Sequence, residues 1–419
     1  MAKAIKLSMV NVIEIVKMPH WFEGTRNVTL ALILTLCSPS YGQIDTSLQL
    51  ISKIDFQEQF ELHDGNLIHL MGYTQLISAP IDLPSPTLIF EEGDSVNLSM
   101  WNLSQGAPHT IHLHGLDVNQ QNDGVPMLSF EVEHDSIGNY YFKAPHPGTY
   151  IYHCHVSSVL HVQSGMYGML IVKPKSNPNL TWENGFLFDS EHAWMMSEVD
   201  TNWHHDSIIN HPHDPMGTMD PILPYYPQHF LINGMSETQL DMAPINGTVG
   251  EKIYMRLANI GYYANRVIFP AGMNAEVIAS DGRPLPSPFN SDTVDVYPGE
   301  RFGVLLEADA EFSDVIQVGY VNLNTQILEN TQEVDLTISG FIGLDELDAE
   351  DQLVYPNPAN DEVQLPLSGE WVALDLSGRA IGTLISENNN YNVSGLAVGS
   401  YILKNVERSD VSVKITIQR

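Results

Sequence analysis

Two short segments concentrate the residue types that hold metals. One is Pro108-His-Thr-Ile-His-Leu-His-Gly115; the other is Tyr152-His-Cys-His-Val-Ser-Ser-Val-Leu-His-Val-Gln-Ser-Gly-Met166. Side chains on a β-strand alternate faces with period two. His112 and His114 therefore share a face, and His109, three residues earlier, points to the other if the strand extends that far. On the second strand His153 and His155 share a face, and Cys154 projects oppositely. If the two strands are neighbours, two sites form back to back. One gathers His109 and Cys154, the other His112, His114, His153 and His155.

The stretch after Cys154 offers His161 and Met166 to complete the first site. Two imidazoles, a thiolate and a weak thioether are the ligands of a blue copper centre. Zinc also accepts Cys and His, but it explains neither Met166 nor the second histidine group. Four neutral nitrogen donors at the second site suit a copper that binds an exogenous oxygen ligand. Cys154 is covalently flanked by His153 and His155, so one residue's backbone joins the two sites.

The elements that must position these residues read as strands. Residues 60–340 show short β-rich runs separated by Gly, Pro, Asn and Asp turns, the pattern of β-sandwiches. Examples are Ser95-Val-Asn-Leu-Ser-Met-Trp101 and Gly168-Met-Leu-Ile-Val172. The reading is all-β, with a first domain over 60–175, a boundary at Lys173-Pro-Lys-Ser-Asn-Pro-Asn-Leu180 and a second domain over 180–342. Gly93-Asp-Ser-Val and Gly250-Glu-Lys-Ile look like equivalent strand starts in the two. An acidic linker at 343–352 leads to short alternating strands over 353–419, a small third β-sandwich.

The chain's 51 acidic residues against 18 Lys plus Arg give a formal charge of -33. A basic nucleic-acid groove or docking on anionic lipid is excluded on that balance. Two cysteines in 419 residues exclude a disulfide framework. No interior run reaches the roughly 20 apolar residues of a membrane helix. Residues 1–42 read as a signal region: Arg26 is the basic flank, Val28 to Leu36 the short apolar core, and Ser40-Tyr-Gly42 the small-x-small cleavage site. Translation from Met18 would shorten its leading part. Removal of that region takes Cys37 with it and leaves Cys154 as the one thiol.

These motifs resemble the multicopper oxidase family of linked cupredoxin domains. The H-x-x-H-x-H-G signature stands as His109, His112, His114 and Gly115, and the H-C-H motif as His153, Cys154 and His155. Asp123-Gly-Val-Pro126 and Pro147-Gly-Thr-Tyr-Ile-Tyr-His153 also match. The resemblance implies two Greek-key cupredoxin β-sandwiches and copper as cofactor. The spacing to His161-Val-Gln-Ser-Gly-Met166 is more like copper nitrite reductases and related two-domain oxidases. In the second domain, Phe230-Leu-Ile-Asn-Gly234, Ala279-Ser-Asp-Gly282 and Tyr297-Pro-Gly-Glu-Arg-Phe-Gly-Val304 match family strands. Where a second H-x-H-G would fall the chain reads Phe269-Pro-Ala-Gly272, like the copper-free middle domain of three-domain oxidases.

The C-terminal region resembles the sorting domain of type IX secretion substrates, on Tyr355-Pro-Asn-Pro-Ala-Asn-Asp361, Asp375-Leu-Ser-Gly378 and Leu396-Ala-Val-Gly-Ser-Tyr401. That resemblance implies handling by the type IX machinery and a secreted or cell-surface location.

The resulting expectation is a secreted copper oxidoreductase. The type 1 site at His109, Cys154, His161 and Met166 takes electrons from a small molecule or metal ion. The cluster at His112, His114, His153 and His155 reduces dioxygen. The family's full trinuclear cluster uses eight histidines and this chain supplies four in motif; the missing donors come from another subunit, from the second domain, or not at all, with a homo-oligomer the favoured expectation. A nitrite-reductase-like enzyme and a non-enzymatic cupredoxin are the alternatives. His204, His205, His211 and His213 are a candidate source of missing donors, although a solvated loop is the better reading. His229 reads as structural, and His134 and His146 as surface residues. Met127, Met169, Met195 and Met196 could suggest a copper-loading surface, with core filler the better default.

Overall fold

The computed structural model describes residues 44–340 and 354–418, apart from 56–58, 106–107, 210–222, 376–379, 387, 407 and 409–410. The signal region, Cys37, the linker at 343–352, His211 and His213 lie outside the described residues.

The first half contains β1 (Thr46–Ile54), a short hairpin β2 (Phe60–Glu61) and β3 (Leu67–Ile68), β4 (Met71–Thr74), β5 (Ser85–Glu91), β6 (Ser95–Asn102), β7 (His112–His114), β8 (Ser136–Lys143), β9 (Gly148–His153), helix α1 (Ser158–Gln163) and β10 (Tyr167–Lys173). They form two four-stranded sheets, ordered β4-β1-β6-β8 and β5-β10-β9-β7. Burial alternates strictly along β6, as expected for a strand with one face on a core and one near solvent. The sandwich interior packs Leu50, Tyr73, Leu98, Tyr140, Tyr150, Tyr152 and Leu170.

The second half contains β11 (Ser190–Val199), β12 (His229–Ile232), β13 (Ile245–Thr248), β14 (Ile253–Asn259), β15 (Ala264–Ile268), β16 (Met273–Ser280), β17 (Arg283–Asn290), β18 (Thr293–Val296), β19 (Arg301–Ala308), β20 (Phe312–Val321) and β21 (Leu328–Ser339). Their sheets run β12-β11-β14-β19-β16-β17 and β13-β21-β20-β15-β18. The two halves repeat one device. In each, the opening strand pairs parallel with the strand that follows a glycine turn: β1 with β6 after Gly93, and β11 with β14 after Gly250. Both glycines have positive φ, which a residue without Cβ adopts freely. A separate small sheet unit spans Glu362–Ile417 around Trp371, Leu403 and Ile415.

The strands β9 and β10 are buried along nearly their whole length. Their two faces serve different cores. Tyr150, Tyr152, Leu170 and Val172 point into the first sandwich. Ile151, Met169 and Ile171 pack instead with Ala193, Met195, Leu231, Ala258 and Ile260 of the second half. The halves thus share a continuous apolar seam. Each fully buried Leu, Ile or Met there contributes roughly 1.5–3 kcal/mol. Beside this seam lies a buried ionic group: Glu191 contacts Lys173 and sits 3.1 Å from Arg256, whose Nη1 donates to Thr149 Oγ1 at 3.0 Å.

Candidate metal centre

The alternation that buries Tyr152 inward and Ile151 toward the second half continues past the end of β9. Cys154 keeps the inward parity and lies in the first sandwich's core, whereas His153 and His155 are half-buried on the other side. Beside them runs β7, antiparallel to β9, with His112 opposite His153 and His114 opposite Ile151. His109 lies before β7 and is tied to Val132 by a reciprocal pair of backbone hydrogen bonds. That turn of the chain lets it face inward while His112 and His114 do not.

The inner group consists of His109, Cys154 and His161, whose donor atoms lie within 4.8 Å of one another. Cys154 Sγ is 3.3 Å from His161 Nδ1 and 3.7 Å from His109 Nδ1. All three residues are 0% exposed. His161 sits on α1, a short helix rather than the open stretch its sequence suggests. Met166 is buried beside it, and its backbone bonds both partners: Met166 N–H donates to His161 O, and Cys154 N–H donates to Met166 O, each at 3.0 Å. Burial pushes the Cys154 thiol up to about 11, so metal capture must displace a proton from it.

The outer group consists of His112, His114 and His153, again within 4.8 Å. His112 Nδ1 lies 2.7 Å from Asp123 O and His153 Nδ1 lies 2.8 Å from Cys154 O. Each ring therefore donates from Nδ1 and presents Nε2. His114 Nδ1 is 3.3 Å from His153 Nε2. Burial depresses His153 to about 3 and His114 to about 4, the latter helped by the Arg301 guanidinium. Neutral imidazole is the metal-binding form. His155 is not among the three residues whose donor atoms gather within 4.8 Å, although its ring centroid lies 5.2 Å from that of His112 and 6.0 Å from that of His153.

The remaining histidines are placed elsewhere. His204 Nδ1 donates to His69 O at 2.8 Å, and its other nitrogen faces Gln163; His205 bonds Ser207. Neither joins a metal group. His229 is buried 3.9 Å from Asp64, His146 pairs with Asp117, and His134 bonds Ser104 O. Two residues at the outer group carried no signal as site residues. Gly299 and Arg301 of the second half abut His114 and Gly115; only their place in a matching strand pattern marked them.

Residues 63–177 and 199–332 match two family models, both described as multicopper oxidase, which together cover more than half of the chain. The chain belongs to the multicopper oxidase family. Copper is that family's metal, and the donors present suit it: two imidazoles and a buried thiol inside, three imidazoles outside. Residues 353–418 match the secretion system C-terminal sorting domain, which addresses this oxidase-family chain for type IX export to the cell surface or beyond.

Copper resistance protein A of Pseudomonas syringae pv. tomato is 29% identical, over 55% of this chain and 42% of its own length. Laccase-15 of Oryza sativa subsp. japonica is 26% identical, over 61% and 42%. The chain thus spans about two fifths of the length of these curated relatives. Among solved structures, blue copper oxidase from Nitrosomonas europaea is 26% identical with a TM-score of 0.55, covering 70% of this chain and 86% of that one. Copper nitrite reductase from Nitrosomonas europaea, 17% identical with a TM-score of 0.53 over 70% and 94%, shares the fold. The β-sandwich halves are cupredoxin domains.

Proposed function

We infer that the chain is an exported copper oxidoreductase that oxidises a small donor by single electrons and reduces dioxygen. The observation that carries this reading is the two-sided placement of donors around one strand end. Cys154 faces inward between His109 and His161, while its covalent neighbour His153 faces outward to His112 and His114. When bound, copper would supply one-electron redox chemistry at both groups and an open position for an oxygen ligand at the outer one.

The chain's own residues divide the work. His109, Cys154 and His161 exclude water from the inner group, and Met166 is the fourth, weak donor we assign there. His112, His114, His153 and His155 are assigned to the outer group. The hydrogen bond from His153 Nδ1 to Cys154 O lies in parallel with the covalent link, so thiol and outer imidazole are coupled by two short routes. Electrons from the donor leave by this link, and protons for water formation come from solvent on the half-buried outer side. Further donors to the outer group, if a trinuclear arrangement forms, come from a second copy of the chain.

A nitrite-reductase-like reaction is the second reading. It is favoured by the outer group of three imidazoles, whose donor atoms gather within 4.8 Å without His155. One experiment separates these readings. The copper-loaded protein is titrated for metal per chain, scanned for an intense blue absorption, and assayed for dioxygen uptake and nitrite consumption with a phenolic or cuprous donor. Blue colour, at least two coppers and dioxygen uptake support the first reading. Nitrite consumption without dioxygen uptake supports the second. A single copper without turnover defeats both.

A further inference from the structure

The second cupredoxin domain lacks the family's copper motif, yet it closes one side of the outer histidine group. Gly299 has φ +85°, and a Cβ there would lie 3.1 Å from Cε1 and 3.4 Å from Nε2 of His114. The adjoining Nδ1 of that ring faces His153 Nε2 at 3.3 Å. The turn holding Gly299 is itself pinned. Gly299 N–H donates to Asn259 O at 2.8 Å, and Glu300 N–H to Tyr297 O at 2.9 Å.

Arg301, only 4% exposed, ties this turn to the copper-motif strand. Its Nη1 donates to Gly299 O at 2.5 Å and lies 3.0 Å from Asp281 Oδ1. Its Nε donates to Thr149 O at 3.4 Å, on β9 itself. Its Nη2 would meet a Cβ on Gly115, the residue after His114, at 2.1 Å.

A metal-binding imidazole is usually aimed by a hydrogen bond at its other nitrogen. His112 and His153 have one, to Asp123 O and Cys154 O. His114 meets a packed turn instead. We propose that the Gly299–Arg301 turn of the second domain is the positioning element for His114, and so that this domain helps build the outer metal site. The inference rests on the copper reading of the outer group. Gly299 and Arg301 are positioning residues, since they act through His114.

The test compares Gly299→Ala, Arg301→Lys and Gly282→Ala with the parent, all as copper-loaded full chains. Gly282 is the control. It lies in the same domain seam with φ +73°, where a Cβ would strike Tyr150 rather than His114. The readouts are the affinity for copper beyond the blue one, the paramagnetic resonance spectrum of that copper, and the blue band as a report on the inner site. Gly299→Ala and Arg301→Lys should keep the blue band, weaken the outer copper by about tenfold or more and shift its resonance. Gly282→Ala should keep both.

Unchanged outer copper in Gly299→Ala overturns the role. Equal losses in Gly299→Ala and Gly282→Ala also overturn it, because general seam damage would then suffice. If Gly299→Ala does not fold, Arg301→Lys decides by the same reading. A parent chain that holds only the blue copper defeats the outer site itself; a two-copper parent matched by its variants defeats only the positioning role.

Discussion

The Nδ1 of His153 lies 2.8 Å from the carbonyl oxygen of Cys154, so the ring of the outer group is anchored to the backbone of the residue whose thiol serves the inner group. Because the two residues are consecutive at the end of β9, any movement that re-aims one re-aims the other. The separation of the two groups by one residue is thus a rigid property of strand geometry, not of side-chain choice.

Cys154→Ser should abolish the intense blue absorption while leaving outer copper detectable by paramagnetic resonance. The hydroxyl is nearly isosteric but lacks the soft, charge-donating sulfur. Survival of the blue band in this variant would remove Cys154 from the inner site.

The metal-free protein should lose stability as pH falls from about 6.5 to about 4. Burial holds His114, His192 and His204 at about 4 and His153 at about 3. In that window the unfolded chain binds more protons than the native one, so stability rises with pH. Thermal melts of the metal-free protein should show a lower midpoint at pH 4.5 than at pH 7. Equal midpoints would mean that these rings are not held neutral.

Glu198 should act in the opposite direction. Its buried carboxyl accepts the N–H groups of Tyr262 and Tyr263, and burial raises it to about 7. Between the ordinary carboxylate value and 7 the native state holds the extra proton, so this group's contribution falls as pH rises and is gone above 7. Glu198→Gln should therefore melt higher than the parent at pH 8 and differ little at pH 4.5. A variant less stable at pH 8 would count against a buried, reluctant acid.

Glu191→Gln should be strongly destabilising. Burial pushes this carboxyl up, but Lys173 and Arg256 outweigh it and hold it at about 2. Removing the anion strands two buried cations between the domains, a loss of about 3–5 kcal/mol. Denaturant melts would read this directly, and a cost below about 1 kcal/mol would show that the group is solvated.

Much of this site was legible in the chain because strand parity acts locally. The spacing of His112, His114 and His153 to Cys154 is enough to sort faces, and pairing of β7 with β9 in one sheet of the first domain makes those residues neighbours. The helix bearing His161 was not legible: six residues are too few for a helical hydrophobic period to declare itself. Nor was the approach of Gly299 to His114 and of Arg301 to Gly115. It depends on how two domains dock, and nothing in the local pattern of Tyr297-Pro-Gly-Glu-Arg301 encodes its partner. His204 showed the reverse case, a residue in a histidine-dense stretch that packs against Gln163 and His69 away from both groups.

The apolar seam joining the domains has a bearing on assembly. Ile151, Met169 and Ile171 belong to the strands that carry or adjoin the metal donors, and they share one core with Leu70, Leu83 and Tyr167 of the first domain and Ala193, Met195, Leu231 and Ala258 of the second. Neither domain is therefore finished alone, and a first domain made by itself would present a sticky flank beside half-framed histidines. For an exported chain, docking of the two halves completes the frame around the outer histidines, with the half that lacks the copper motif as the mould in which the other half sets.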